Sequence, residues 1–245
     1  MKEGQFKIIS NAPASDLFWK MTLEGDTSAM KRGGQFVDIA LDGKFLRRPF
    51  AASQWTQSEM DVIYRVVGEG TREMTALKPD DTLSILTGLG NGFDVDACKK
   101  SAIVICGGLG ASPAFTLVKD LIRKGKEVTV VLGFGKAGEI VLEDEYKALG
   151  AEVRIATMDG SKGTKGLVTD AIKAAPGDWD YFYTCGPKVM MKAVCGMMDI
   201  PGEASLEERM GCGCGICYGC TCHTANGPRR VCADGPVFKK EDIIW

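Results

Sequence analysis

The sequence predicts a multi-domain β plus α/β protein. We expect an N-terminal antiparallel β-barrel, a central doubly wound parallel α/β sheet and a small C-terminal module organised by cysteines. Three observations predict this class: short strand-like segments fill residues 1–95, apolar strands alternate with helices over residues 96–205, and six of the ten cysteines fall within residues 206–245. A chain of 245 residues is long enough for two domains and an appendage.

The first 95 residues read as short strands separated by turns. The predicted strands cover residues 6–10, 17–23, 35–40 and 61–67, with glycines, prolines and aspartates between them. Several short strands at this spacing are typical of a small antiparallel barrel. Only residues 71–77 carry a helical pattern here, and it is one or two turns long.

Two stretches of the barrel carry polar motifs. In the first, the cationic Arg48 precedes Pro49, whose ring restricts the backbone. In the second, residues 64–71, YRVVGEGT, end a strand in a glycine-rich turn that begins a short helix. Free amides at a helix N-terminus suit a phosphate, and arginines add charge-assisted hydrogen bonds. Both patterns also occur in barrels that bind no ligand. Residues 87–94, TGLGNGFD, predict an ordered loop because Leu89 and Phe93 lie within it.

From residue 99 the pattern changes to alternating strands and helices. Predicted strands cover residues 101–106, 127–132, 152–157 and 180–185, and predicted helices cover residues 113–123, 139–149, 166–175 and 187–198. Continuous apolar strands that alternate with helices predict a parallel sheet with helices on both faces.

In such sheets ligands bind at the carboxyl ends of the strands. Two glycine-bearing turns fall at those ends. Their candidate cofactor-binding residues are Gly107, Gly108, Gly110, Cys185, Gly186 and Pro187. The first turn resembles the G-x-G-x-x-G dinucleotide motif without matching it. No acidic residue and no arginine marks the end of the second strand, so NAD and NADP both stay open.

Cys185 is the cysteine of this region that we expect to face a nicotinamide. The alternative, which also applies to Cys98 and Cys106, is a buried thiol that packs as a small hydrophobic side chain.

The clustered cysteines carry the most specific pattern in the chain. Cys212, Cys217 and Cys220 stand as C-x4-C-x2-C with Cys232 further on, which is the plant-type run for a [2Fe–2S] cluster. A zinc site remains an alternative, although zinc modules usually pair two short C-x2-C steps. Disulfides are a third possibility, but ten cysteines in 245 residues are too few for a disulfide-rich scaffold. The same loop holds two surplus thiols, Cys214 and Cys222.

Composition excludes several functional classes. A net charge of −2 gives no reason to expect nucleic acid or an anionic membrane as partner. No apolar run approaches the ~20 residues of a membrane helix. Abundant free thiols predict a reducing compartment and therefore the cytoplasm. The single histidine, His223, reads as a solvated loop residue and argues against Ser–His or Cys–His catalysis elsewhere in the chain.

Almost the whole chain resembles one known family. The motifs LRRPF, YRVVGEGT, LGNGFD, GGLGASP, DGSKGTKGLVTD, TCGP and C-x4-C-x2-C…CADGPVF resemble the ferredoxin-reductase superfamily. Within it they are similar to the electron-transfer subunits of type 1B dihydroorotate dehydrogenase. The resemblance implies FAD in the barrel, NAD(H) as exchangeable substrate on the α/β sheet, and a [2Fe–2S] cluster held by Cys212, Cys217, Cys220 and Cys232.

The resemblance also assigns residues to the flavin. It implies that the flavin is lined by Arg48, Pro49, Phe50 and Ala51, that Ile63, Tyr64 and Arg65 follow its ribityl chain, and that Gly70 and Thr71 lie at the pyrophosphate. The chain departs from the family where Ala51 and Ala52 stand in place of a common serine, so one hydroxyl bond to the flavin is absent.

The family further implies a partner and a pathway. Electrons would pass from the FMN of a dihydroorotate dehydrogenase catalytic subunit through [2Fe–2S] and FAD to NAD+ in pyrimidine biosynthesis, in a heterotetramer of two plus two subunits. The chain would thus be the NAD(H)-oxidoreductase part of a larger enzyme. Alternatives are the small flavin/[2Fe–2S] subunit of a ferredoxin:NADP+ transhydrogenase or a hydrogenase gamma subunit, and a zinc-binding adaptor.

Overall fold

The N-terminal part of the chain closes into a six-stranded antiparallel barrel. The computed structural model describes all residues from Met1 to Trp245. The barrel strands, in the order β1-β2-β5-β4-β3-β6, are β1 (Lys2–Pro13), β2 (Phe18–Glu24), β3 (Phe36–Ile39), β4 (Arg48–Trp55), β5 (Glu59–Arg65) and β6 (Thr82–Leu89). The predicted barrel is therefore confirmed, with two strands, β4 and β6, that the sequence did not predict.

Alternation along the strands builds the barrel core. Met21 and Leu23 on β2 point inward and are fully buried, and Phe6 and Ile8 on β1 pack against them. Inward and outward side chains alternate with a period of two, so each strand keeps one face toward this core. The short helix α1 (Glu69–Met74) follows β5, as the glycine-rich turn predicts.

The second part is a seven-stranded α/β sheet. Its order is β10-β9-β8-β7-β11-β12-β15, with β7 (Ser101–Gly107), β8 (Glu127–Phe134), β9 (Glu152–Thr157), β10 (Thr164–Lys165), β11 (Tyr181–Cys185), β12 (Gly202–Ser205) and β15 (Val237–Lys239). All neighbours pair in parallel except β15, which adds antiparallel to β12. The predicted parallel sheet is confirmed.

Helices cover both faces of this sheet. The four helices are α2 (Ala114–Arg123), α3 (Glu143–Ala148), α4 (Val168–Ala174) and α5 (Lys188–Met197). Side chains of α2 and α3 pack in one apolar cluster, and those of α4 and α5 pack in another on the opposite face. α3 begins later than the predicted residue 139, because a 3-10 turn at Ala137–Glu139 and a left-handed Leu142 (φ 62°) precede it.

The C-terminal segment is tied to both other parts. It forms a hairpin from β13 (Thr221–Thr224) and β14 (Gly227–Arg230) before β15 joins the sheet. Asn91, in the loop after β6, donates through Nδ2 to Val237 O (2.8 Å) and accepts from Val237 N–H (3.1 Å). Across the whole chain, no helix has the length and apolar character that crossing a membrane requires.

Candidate functional site

One cavity of about 320 Å³ lies where the barrel, the α/β sheet and the C-terminal segment meet. Its lining residues come from all three parts. They are Gly34, Phe36, Pro49, Phe50, Ala51, Ile63, Arg65, Val67, Thr71, Leu109, Ser112, Pro113, Cys185, Ser205, Leu206, Glu207, Glu208, Met210 and Pro236. The structure therefore brings most of the predicted barrel motif residues together with the turn that ends β11.

Strands β4 and β5 supply the barrel wall of the cavity. Pro49, Phe50 and Ala51 line it from β4, and Ile63 and Arg65 line it from β5. This wall is largely apolar, as a flat aromatic ring system requires.

The strand period turns the side chain of Tyr64 to the other face of β5. It is fully buried in the barrel core, where its hydroxyl donates to Asn11 Oδ1 (2.9 Å). Only the backbone of Tyr64 is left to follow a ligand in the cavity.

The start of α1 lies at one end of the barrel wall. Thr71 Oγ1 accepts hydrogen bonds from the backbone N–H groups of Val67 (2.9 Å) and Gly68 (3.2 Å), so its hydroxyl fixes the turn. A Cβ on Gly70 would lie 3.0 Å from Arg48 Nε. Arg48 and Gly70 are therefore adjacent, although neither lines the cavity, and a guanidinium stands beside the turn that the sequence predicts for a phosphate.

The two glycine turns of the sheet touch each other backbone to backbone. They follow β7 and β11, the neighbouring strands between which the strand order reverses. A Cβ on Gly110 would lie 2.2 Å from Cys185 O, and one on Gly186 would lie 2.9 Å from Gly107 N. Gly108 takes φ 52° and Pro187 precedes α5. This crevice at the carboxyl ends of the strands is where open α/β sheets bind dinucleotides.

Three strands end in register beside that crevice. Cys185 pairs with Cys106 of β7 on one side and with Ser205 of β12 on the other. Burial raises the pKa of the Cys185 thiol well above its ordinary value, so the thiol stays protonated. A protonated thiol that lines the cavity can pack against a cofactor ring, but it is a poor nucleophile.

Sequence reasoning missed two polar residues that matter in this structure. Ser112 is 1 % exposed, lines the cavity, and its Oγ has no hydrogen-bond partner in the protein. A buried hydroxyl without a partner is costly, so this one is available to a polar ligand atom. Asp38 on β3 is 2 % exposed; burial raises its pKa to about 6, against the opposing charges of Arg47 and Arg48. Ser112 had a sequence signal in the GASP turn, whereas Asp38 had none.

The predicted cysteine ligands fall into two pairs. The N–H of Cys217 donates to Cys212 Sγ (3.4 Å), and the N–H of Cys232 donates to Cys220 Sγ (3.4 Å). No three cysteine, histidine or acidic side chains converge closely enough to hold a single metal ion. Two thiol pairs fit a [2Fe–2S] cluster, in which four thiolates are shared between two irons.

The environment of Cys212 favours a thiolate. Burial opposes its ionisation, but N–H groups from Cys217, Cys214 and Ile216 lower its pKa to about 6. Cys214 is a side-chain neighbour of Cys212, and Cys222 is buried on β13 among apolar residues. Cys220 and Cys232 are buried in the same apolar cluster, so burial alone does not separate Cys222 from the predicted ligands. His223 is exposed, as predicted, but it lies on β13 rather than in a loop.

Arg230 joins the two halves of the cysteine segment. Its Nη1 donates to Gly215 O (2.8 Å), while Nε and Nη2 bind the carboxylate of Asp234 (3.0 Å each). The guanidinium also lies over the ring of Tyr218, 5.0 Å from its centroid. One side chain thus links the loop that carries three predicted ligands to the segment that carries the fourth.

Two family models match the chain. Residues 207–244 match the iron–sulfur cluster binding domain of dihydroorotate dehydrogenase B. Residues 104–196 match the oxidoreductase NAD-binding domain. The first covers the thiol pairs and Arg230, and the second covers both glycine turns.

Known proteins resemble the chain over its full length. The electron transfer subunit of NAD+-dependent dihydroorotate dehydrogenase B from Geobacillus sp. (strain WCH70) is 39 % identical over 256 residues, covering 100 % of this chain and 99 % of that protein. A solved NADH-dependent reduced ferredoxin-NADP oxidoreductase superposes with a TM-score of 0.90 at 27 % identity, covering 98 % of this chain and 90 % of its own. A Neisseria gonorrhoeae ferredoxin NADP+ reductase with bound FAD and NADP shares the fold, with a TM-score of 0.67 at 16 % identity over 78 % of this chain and 88 % of its own.

Proposed function

This chain belongs to the family of electron-transfer subunits of NAD+-dependent dihydroorotate dehydrogenase B, and on that basis we propose that it carries electrons between a catalytic subunit and NAD+ in pyrimidine biosynthesis. Its cofactors are FAD and an iron–sulfur cluster, and NAD(H) is its exchangeable substrate. The observation that carries the proposal is the single cavity lined by the barrel, the nucleotide-binding sheet and the cysteine-bearing segment.

The residues of the cavity hold the cofactors in position and exclude water, and none of them takes part in a chemical step. When bound, a flavin exchanges an electron pair with nicotinamide and single electrons with an iron–sulfur cluster. Pro49, Phe50 and Ile63 form an apolar wall that keeps water from the ring. The Gly107–Gly110 turn lets backbone approach a pyrophosphate, and Cys185, as a protonated thiol, packs at the point where the nicotinamide would meet the flavin.

The cysteine segment supplies the one-electron outlet. We assign Cys212, Cys217, Cys220 and Cys232 as the ligands, because their thiols lie in two pairs and backbone N–H groups already point at three of the four sulfurs. Such N–H···S bonds stabilise thiolates and help set cluster potentials. A zinc adaptor would hold zinc and no iron in the same thiols, so metal analysis distinguishes the two assignments.

The family name requires a catalytic partner. We propose that the partner is the FMN-containing subunit that oxidises dihydroorotate, because the relatives are named as electron transfer subunits of dihydroorotate dehydrogenase B. We further propose an assembly of two plus two subunits, as the family resemblance implies. We also place the protein in the cytoplasm, because none of its ten cysteines is joined in a disulfide and the assigned ligands must stay reduced.

An anaerobic visible spectrum with iron and flavin quantified per chain tests the proposal. We expect a yellow-brown protein with one flavin and about two irons per chain. The same preparation should reduce a dye with NADH, and addition of the catalytic subunit should couple dihydroorotate oxidation to NAD+ reduction. A folded, colourless protein purified without air would contradict the proposal.

The superposition on NADH-dependent ferredoxin-NADP oxidoreductase supports one second candidate function. In that case the partner would be a larger flavoprotein with several clusters. Co-purification distinguishes the two candidates, because a TIM-barrel FMN subunit supports the first and a multi-cluster flavoprotein supports the second.

A further inference from the structure

Asp38 lies between the cavity and the cysteine loop. It is on β3, which is paired with β4 on one side and β6 on the other, and its side chain is buried. Its ladder partner on β4 is Pro49, which lines the cavity. One strand therefore separates the carboxylate from the expected flavin position.

On its other side the carboxylate touches the cysteine loop. A Cβ on Gly213 would lie 2.5 Å from Asp38 Oδ2, and Gly213 takes φ 63°, a conformation that favours glycine. Gly213 stands between Cys212 and Cys214. The carboxylate is thus packed against the backbone that presents the first predicted ligand.

The side-chain carboxylate of Asp38 receives no hydrogen bond from the arginines near it, although their charges favour its ionised form. Asp38 Oδ1 has no hydrogen-bond partner in the protein. Arg47 Nη1 donates instead to Ser84 O (2.9 Å) and to the backbone oxygen of Asp38 (3.3 Å), and its Nη2 pairs with Glu3 (2.5 Å). Arg48 donates to Leu46 O. A buried carboxylate left without a partner calls for a functional reason.

We propose that Asp38 is a positioning residue that lowers the reduction potential of the iron–sulfur cluster through its carboxylate beside Gly213. The inference rests on the proposed function. Cluster potentials depend on net charge, hydrogen bonds to sulfur and solvent exposure. A negative charge in a buried site opposes the addition of one electron to the cluster, so it favours release of that electron toward the flavin. No bond is made or broken.

An EPR-monitored redox titration of the holoprotein in complex with its catalytic subunit tests this role at about pH 8, which lies above the raised pKa of about 6 of the Asp38 carboxyl group. We expect Asp38→Asn to shift the one-electron equilibrium at least tenfold toward the reduced cluster. This shift corresponds to a rise of about 59 mV in the reduction potential of the cluster. The flavin potential should move less. Asp42→Asn is the control: it makes the same chemical change at an exposed residue in the loop that follows β3. It should leave the cluster potential unchanged.

Each outcome is decisive. Equal cluster potentials in wild type and Asp38→Asn would overturn the role of Asp38 while leaving the proposed function intact. If Asp38→Asn fails to hold the cluster, Asp38→Glu must retain it, and loss of iron from both variants would also overturn the role. Wild-type protein without iron would instead contradict the proposed function.

Discussion

The contact between Gly110 and the carbonyl of Cys185 leaves no room for a methyl group. A Cβ at residue 110 would lie 2.2 Å from that oxygen and 2.8 Å from Gly186 N, and both are backbone atoms that cannot rotate away. Glycine is therefore required at this position of the GGLG turn because a side chain has no room, and not because the backbone needs an unusual conformation. Its identity follows from the close approach of two strand ends.

We expect Gly110→Ala to destabilise the protein by about 2–3 kcal/mol and to weaken NADH binding, because the two turns must separate. The matched change Gly196→Ala should stabilise it by about 0.5–1 kcal/mol, since Gly196 lies exposed in α5 with open space at its Cβ. Urea unfolding and an NADH titration measure both effects. Equal stability of the two variants would show that the strand ends can separate without cost.

Glu203 is a buried carboxyl group whose proton should affect folding. Burial raises its pKa from 4.5 to about 7, against the backbone N–H of Asp94 and the charges of Lys239 and Arg32, which lower it; the charge of Asp94 adds to the rise. Asp94 N–H donates to its Oε2 (3.0 Å). Between these two pH values the folded state holds a proton that the unfolded state has released, so the stability contribution of this group is complete below about pH 4.5 and is lost as pH rises through 7.

We therefore expect Glu203→Gln to remove part of the fall in stability between about pH 5 and pH 8, by at most about 3 kcal/mol. The glutamine can still accept from Asp94 N–H, so the fold should be retained. Urea unfolding across this range measures the slope. The exposed Glu241→Gln serves as control, and a slope that is the same in both variants would contradict the assignment.

Among the secondary-structure elements, the sequence predicted those strands and helices that a local residue pattern determines. The four alternating strands of the sheet were found because continuous apolar runs followed by helices are unambiguous. β4 was missed because its sequence, RPFAASQW, has proline at the second position and small residues at its centre. It therefore lacks the alternation of apolar and polar residues that indicates a strand. β6 was missed although Leu83 and Ile85 alternate with polar residues, because Leu86 follows Ile85 directly and Gly88 weakens the end of the strand.

The site was harder to predict than the elements. The cysteine spacing and the glycine turns identified the expected cofactors, but the burial of Tyr64, the free hydroxyl of Ser112 and the contact of Asp38 with Gly213 all depend on pairings between distant strands. No local rule shows which face of β5 meets the sheet. The positions of Tyr64 and Asp38 are therefore settled only when the barrel closes, whereas Ser112 had a local signal in the GASP turn.

The hairpin of β13 and β14 positions the cysteine loop through Arg230. The guanidinium fork binds Asp234 with two nitrogens and Gly215 O with a third, and lysine cannot make these bonds together. We expect Arg230→Lys to loosen the loop, which should speed iron release to a chelator roughly tenfold or more. Spectral decay under excess chelator measures this rate.

Arg229→Lys provides the control, because Arg229 is exposed on the same strand and makes none of these bonds. It should release iron at the wild-type rate. Equally fast release from Arg229→Lys would contradict this role, because lysine keeps the positive charge and Arg229 makes none of the fork's hydrogen bonds.

The whole molecule holds its parts in fixed relation through buried contacts. Thr116 Oγ1 on α2 donates to Ser53 O of the barrel (2.8 Å), and a Cβ on Gly33 would lie 2.5 Å from Leu117 N. Asn91 ties the barrel to β15. Because the cavity lies between elements joined in this way, its walls are pre-organised for a cofactor that must meet two redox partners.

This arrangement predicts that the two electron-transfer functions can be separated by a single thiol. Most of the cavity wall comes from the barrel and the sheet, whereas the predicted ligands lie in the C-terminal segment. We expect Cys217→Ser to lose the cluster absorbance and electron transfer with the catalytic subunit, while flavin content and NADH-to-dye activity stay near wild type. The visible spectrum and paired assays measure both. Cys214→Ser, in the same loop, should keep the cluster, and a Cys217→Ser variant with both activities intact would show that the four assigned ligands are wrong.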